Sequence, residues 1–359
     1  MSSPDVIIAG AGIIGVSIAL ELRQRGAQVL VLDRQEPGQE ASSAAAGMLA
    51  PADPETPLPL RPLAFSSARL FPDYVQRLEN SSGVKVDFCR EGAIAVLEGQ
   101  SVPRQYRPLA REDLKRMEPA LNTRRRPAFF VEEDSVDPAL LMRAALVAAT
   151  RSSVEIRGNT GVEEVHARGA HIEIVTGSGR LAAAAVVNCR GAWSGAPVKP
   201  RKGQSLYVRP QRAGLLRHVV VAPEVYMVPR SSGKILIGAT IEDVGYDKTV
   251  EAETIQTLHR AAAQLVPELA SAPVTESWAG LRPGSPDDLP LLGATETPGI
   301  FIASGHFRNG ILLAPVTARI MADLVTGKPA PMDISAFSPL RFATRQASSV
   351  EINRRPGNS

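Results

Sequence analysis

Val6-Ile7-Ile8-Ala9 is a run of four apolar residues, and Gly10-Ala11-Gly12-Ile13-Ile14-Gly15 follows it without a spacer. An apolar helical pattern then runs through Ile13, Ile14, Ile18 and Leu22 to Gly26, which stands where a helix-stopping glycine belongs. Val29-Leu30-Val31-Leu32 is a second short strand with Asp33 at its end. Each position has a physical task. Gly10 permits the tight turn, Gly12 lets backbone approach a pyrophosphate, and Gly15 lets the helix lie close to the strand. The helix N-terminus, with Ala11, Ile13 and Ile14 around it, presents free amides and the positive dipole end to phosphates. Asp33 can accept from ribose hydroxyls, and its charge repels a 2′-phosphate. The unit predicts dinucleotide binding and at this point leaves FAD and NAD both open.

The next segment favours a flavin. After Asp33-Arg34, the stretch Ala41-Ser42-Ser43-Ala44-Ala45-Ala46-Gly47-Met48-Leu49-Ala50 is small and free of charge. It is too bland for a solvated loop and too poor in large side chains for a core helix. Small residues let backbone press on a flat ligand, and Ser42 and Ser43 add hydroxyls for a second phosphate. A second close-approach site is Val186-Val187-Asn188-Cys189-Arg190-Gly191-Ala192-Trp193, where β-branched residues run into a glycine turn. Cys189 there reads as a small buried filler.

Helices are predicted over 64–78, 111–121, 138–150 (Asp137 as N-cap, Pro138 at N1) and 254–265, and from about Ile311 onward. Strands are predicted at 154–156, 162–166, 172–176 and 181–187, with an antiparallel set between Gly203 and Thr240. Pro51–Pro62 carries five prolines and reads as a connector. The tail beyond Pro339 is polar and reads as frayed.

Composition excludes several classes. A net charge of +3 with 4% aromatic residues argues against nucleic-acid binding, and Arg124-Arg125-Arg126 reads as a solvated turn. Two cysteines, Cys89 and Cys189, cannot build a disulfide framework or a zinc site, so no metal is expected. No secretory signal and no apolar run long enough to span a bilayer is visible, so a cytoplasmic protein without a membrane partner is expected.

The sharpest chemical signal comes late. Trp278-Ala279-Gly280-Leu281-Arg282-Pro283-Gly284 is followed by Gly305-His306-Phe307-Arg308-Asn309-Gly310-Ile311-Leu312-Leu313-Ala314-Pro315. A strand over 300–303 meets a glycine turn and then a helix, giving a second positive helix N-terminus. Such a site would stabilise negative charge on a reduced flavin. Arg282 and Arg308 together could hold a substrate carboxylate bidentately.

On these residues, together with ASSAAAGMLAP at 41–51 and YMVPR at 226–230, the chain resembles the FAD-dependent D-amino-acid oxidase superfamily, and within it the glycine oxidases of thiamine biosynthesis. The likeness spans roughly residues 5–325. It implies an α/β chain (α+β overall), with a Rossmann-like FAD-binding domain interleaved with a substrate domain built on an antiparallel sheet. The expected division is 1–80, 137–197 and 276–338 for FAD, 81–136 and 198–275 for substrate, and 339–359 as tail. It implies non-covalent FAD contacted by Gly10, Ala11, Gly12, Ile13, Ile14, Gly15, Asp33, Arg34, Ser42, Ser43, Ala46, Gly47, Met48, Val162, Gly191 and Trp193. His306, Phe307, Arg308, Asn309, Gly310, Ile311 and Leu312 complete that expected bed.

The resemblance further makes Arg282 the main carboxylate clamp, assisted by Arg308 and by the Tyr226 hydroxyl, with Met48, Glu224 and Ile241 at the substrate pocket. Glu224 and Ile241 depart from the histidine and methionine that the family places there. The implied reaction takes a small amino acid and O2 to an imine and hydrogen peroxide in a homotetramer. A D-amino-acid or sarcosine oxidase, a dehydrogenase, and a non-enzymatic FAD-binding subunit remain alternatives at this level.

Overall fold

The computed structural model describes residues 3–97, 102–169 and 171–343. Its first sheet has six strands in the order Leu291–Ala294, Ile300–Ser304, Ala185–Asn188, Val6–Ala9, Val29–Leu32 and Glu155–Arg157. All neighbours are parallel except the Leu291–Ala294 edge. Unbroken apolar runs suit strands with both faces covered. Val6, Ile8, Val29 and Val31 face helices, including Ile13–Gln24 and Gly310–Val325. Ile7, Leu30 and Leu32 face a three-stranded antiparallel sheet, Val162–Arg168, His171–Thr176 and Gly179–Ala183.

The second large sheet has eight strands: Val274–Gly284, Lys199–Val208, Ile235–Gly238, Tyr226–Pro229, Val219–Val221, Ala93–Val96, Ala128–Val131 and Arg107–Pro108. It is antiparallel apart from the parallel pair Val219–Val221 and Ala93–Val96. Alternation assigns its faces. Met227, Ile235 and Ile237 pack under helix Ala252–Leu265, whereas Tyr226, Val228 and Leu236 point the other way, among Ala46, Met48 and Trp278. A small sheet of Met48–Leu49, Asp134–Val136 and Phe88–Cys89 joins the two regions.

Several elements differ from the sequence expectation. The segment expected as one strand over 181–187 is two strands that change sheets at Ala184, where Asp5 O accepts from Ala184 N (3.0 Å) and Ala185 N (3.1 Å). The helix expected over 64–78 runs Arg61–Ser82, begun by Pro62 and closed by Gly83 at φ +72°. The one expected over 111–121 ends at Met117. Part of the expected frayed tail, Pro339–Phe342, is a 3-10 turn held by Arg341 on Asp287 at 2.9 Å; residues 344–359 lie outside the described residues. A domain boundary at 276 would cut the unbroken strand Val274–Gly284, which pairs along its length with Lys199–Val208.

Candidate active site

A cleft of about 1690 Å3, counted out to its open mouth, runs from the C-terminal ends of the parallel strands to the inward face of the eight-stranded sheet. Its lining reaches from the glycine turn at Gly10 and Gly12 across to Arg282 on the other sheet, the span that a long cofactor with a small substrate beside it needs. Ala9, Leu32 and Ser304 mark one wall, and Gly203, Tyr226 and Arg282 mark the other.

At the dinucleotide end, Gly10 has φ +111°, and a Cβ there would collide with the Cys189 carbonyl. A Cβ on Gly15 would collide with the Gly10 carbonyl, so strand, turn and helix close on each other as the glycine spacing predicts. Asp33 Oδ2 accepts from Ala11 N at 2.7 Å and Oδ1 from Gln35 N at 3.0 Å. This fixes the carboxylate beside the turn while each oxygen retains accepting capacity. Ser42 Oγ accepts from Ile13 N at 2.9 Å at the helix start. The Arg34 guanidinium stacks 3.7 Å over the Trp193 ring and pairs with Glu40 at 3.0 Å, and Tyr246 packs on Trp193 with ring centroids 5.5 Å apart. This bed fits FAD. Helix-end amides and an acid serve the dinucleotide half, and a strip of small residues leaves room for a flat ring.

The strip has a physical reason to be small. Its residues form the short helix Ala41–Ala44 and strand Met48–Leu49, pressed between strand Val274–Gly284 and helix Pro138–Arg151. A Cβ on Gly280 would lie 2.6 Å from Ala44 Cβ. Trp278 Nε1 donates to Ala44 O at 3.1 Å. Buried Arg230 donates to Ala46 O at 2.6 Å and Val136 O at 3.0 Å. Nothing local in the sequence marks Arg230 as an arginine that ties three separated segments. Arg190, which does line the cleft, was likewise not foreseen; its guanidinium donates to Asn188 Oδ1, Val162 O and Ser194 O.

At the substrate end, Arg282 stands opposite Arg201 in the eight-stranded sheet, and Nη1 donates to Thr240 O at 3.1 Å. Its guanidinium lies over Gly203, where any Cβ would collide with it. No carboxylate pairs with Arg282 among the described residues. Tyr226 lines the same wall opposite Gly238, and a Cβ on Gly238 would meet the Tyr226 hydroxyl oxygen at 2.6 Å. His306 is buried, with Nε2 3.1 Å from Thr317 Oγ1. Burial pushes its imidazole down to about 3, so it is neutral at physiological pH. Phe307 adopts φ +47°, a left-handed conformation unusual for a bulky residue and found where surrounding structure over-determines the turn.

Most of the expected residues line the cleft: Gly10, Gly12, Ile13, Ile14, Asp33, Arg34, Ser42, Ala46, Gly47, Met48, Val162, Gly191, Trp193, Tyr226, Arg282, His306, Phe307, Arg308, Gly310 and Ile311. Ala11, Gly15, Ser43, Asn309 and Leu312 stand behind the lining. Ser43 Oγ is spent on Gly38 O, Asn309 N on His306 O, and Leu312 is core.

Four residues sit otherwise than expected. Glu224 is exposed in the turn before Tyr226 and pairs with Arg126 at 2.8 Å, so Arg126 is not the solvated residue expected either. Ile241 is 53% exposed beyond the end of strand Ile235–Gly238, and neither it nor Glu224 lines the cleft. Arg308 is at the cleft, but its guanidinium is engaged: Nη2 pairs with Asp53 at 3.1 Å and Nη1 with Glu55. The expected pair of open guanidinium groups is one open and one held.

Comparison with known proteins agrees with this geometry. The DAO family of FAD dependent oxidoreductases matches residues 5–324. The chain is 35% identical to glycine oxidase of Geobacillus kaustophilus over 94% of its own length and 97% of that protein. The crystal structure of glycine oxidase from that organism superposes with a TM-score of 0.90 at 33% identity, covering 95% of this chain and 99% of the other. The bifunctional protein ThiO/ThiG of Trichormus variabilis is 35% identical over 97% of this chain, which spans about half (56%) of that relative's length. The crystal structure of iminodiacetate oxidase from a Chelativorans species gives a TM-score of 0.84 at 26% identity, over 93% of this chain and 98% of the other. With the family matched across nearly the whole chain and the dinucleotide bed in place, this protein belongs to the DAO family of FAD-dependent oxidoreductases.

Proposed function

We propose that the protein oxidises glycine and other small amino acids at the Cα–N bond. The observation that carries this reading is Arg282: a guanidinium inside the cleft, unmatched by any acid among the described residues, folded over Gly203 and beside Tyr226. A half-buried cation in that state recruits an anionic group, and a carboxylate fits its fork bidentately. The Tyr226 hydroxyl adds a neutral donor. Holding the carboxylate orients the Cα–H bond toward the flavin bed and brings the reacting atoms within about 3–3.5 Å. FAD, when bound, supplies the two-electron acceptor and the route to dioxygen.

The substrate gives up a Cα hydride and an amine proton and becomes an imine. Water then converts the imine to a 2-oxo acid and ammonia, and O2 takes up two electrons and two protons as H2O2. His306 is neutral, buried and bonded to Thr317, which suits it to shaping the bed rather than to taking the proton. The similarity to glycine oxidases and to ThiO/ThiG supports glycine as substrate and thiamine biosynthesis as the setting. The reading carries with it a cytoplasmic homotetramer, as the resemblance implies; among the described residues no helix is long and apolar enough to cross a membrane. It also assigns 1–80, 137–197 and the part of 276–338 beyond Gly284 to the cofactor, and 81–136 and 198–284 to the substrate.

The test is a panel of glycine, sarcosine and D-amino acids added anaerobically to the FAD-loaded protein, followed by readmission of oxygen. Glycine or sarcosine should bleach the flavin and then release peroxide. Bleaching by no member of the panel would remove the amine-oxidation reading.

A further inference from the structure

We propose that Asp53 and Glu55 restrict this enzyme to substrates with a single carboxylate, by holding Arg308 away from a second one. The inference rests on the amine-oxidation reading and names the substrate class of that same site. Two guanidinium groups reach the substrate side of the cleft, yet they differ in what they face. Arg282 donates to the Thr240 carbonyl and meets no acid among the described residues. Arg308 meets two, Asp53 at 3.1 Å and Glu55. Both acids face the Arg308 guanidinium, so an incoming anion finds that cation already matched.

The acids are built into this position. Both lie in the proline-rich connector directly after the cleft-lining strand Met48–Leu49. Asp53 Oδ1 accepts from Glu55 N at 2.8 Å, leaving Oδ2 for Arg308, and Asp53 O accepts from Thr56 N at 3.0 Å. Arg61 donates to Thr56 O and Pro54 O and so fastens the far side of the turn. One side chain therefore folds the connector and fixes the arginine together. The carboxylate of glycine or sarcosine is matched by Arg282 alone. A dicarboxylate such as iminodiacetate brings a second charge that must compete with Asp53 and Glu55 for Arg308.

The experiment compares kcat/KM for iminodiacetate and for sarcosine in the FAD-loaded wild type, in Asp53→Asn with Glu55→Gln, and in Glu55→Gln alone. The wild type should favour sarcosine. The double variant, which removes both acids from Arg308, should raise the iminodiacetate-to-sarcosine ratio on the order of tenfold, the scale of one hydrogen-bonded charge. Glu55 has a side chain 71% exposed, so Glu55→Gln should fold if the double variant does not, and it should move the ratio the same way by less. A wild type that favours iminodiacetate, or a ratio that stays put or falls in Glu55→Gln, overturns the proposal. Failure of sarcosine and glycine to reduce the wild type would instead remove the underlying reading of the site.

Discussion

The two ends of the cleft are built on different principles. At the dinucleotide end, recognition falls to backbone amides, a helix terminus and one acid, all within Val6–Asp33. At the other end, the proposed substrate contacts are long side chains at positions 226 and 282, and position 308 is held by acids at 53 and 55. A backbone amide is placed by its own turn, whereas a guanidinium is placed by whatever packs around it. The first end should therefore tolerate no added atoms, and the second should be sensitive to its neighbours as well as to itself.

The sharpest break of that contrast is Gly12→Val. A Cβ there already stands 3.0 Å from Ser42 Oγ, and the branches would extend toward the pyrophosphate position. The variant should purify colourless, read from its visible absorbance; a yellow protein would mean the turn does not cradle the cofactor. Next comes Arg282→Ala, which should keep FAD and lose kcat/KM by roughly 30- to 1000-fold, the equivalent of about 2–4 kcal/mol for a desolvated charge pair. Full activity at low substrate would contradict the clamp. Gly203→Ala is a smaller and more pointed change, because it alters no donor. Its methyl group must displace the Arg282 guanidinium, so KM should rise about tenfold, or about 1.4 kcal/mol, with an unchanged flavin spectrum. An unmoved KM would show that Arg282 is placed independently of its neighbour.

The smallest expected effect on activity concerns Glu133, which lies beside Asp53. Burial, with the Asp53 charge adding, raises its carboxyl from 4.5 to about 8. The folded protein thus keeps a proton that the unfolded chain has released. Stability from this group is intact below the lower value and is lost as pH climbs through the upper one. Glu133→Gln should flatten that fall, followed as Tm from about pH 5 to about pH 9. A slope identical to wild type would place the titration elsewhere.

The same contrast explains what could be read in advance. The glycine turn, both of its strands, Asp33, the Asp137 cap with Pro138, and the small-residue strip follow from periodicity and turn chemistry that act over a few residues. Asp137 Oδ1 indeed accepts from Ala139 N at 2.9 Å and Leu140 N at 3.1 Å. The split at Ala184 was hidden because Leu181–Val187 is one apolar run; only the competing edges of two sheets divide it. Glu224 and Ile241 were assigned by position relative to Tyr226. Strand geometry puts one in a solvated turn and the other past a strand end.

By itself, then, the sequence determined where a dinucleotide lies, since that is encoded by neighbours along the chain; Arg282 and Arg308 were pointed to by their motifs, and Arg190 was not foreseen. Only the tertiary structure decided which arginine is left open. Asp53 and Arg308 are 255 residues apart in sequence, and no local rule pairs charges across that distance. The pairing depends on the connector turn and the Gly305–Gly310 loop arriving at the same rim, where a close carboxylate neutralises one guanidinium and leaves the other for substrate.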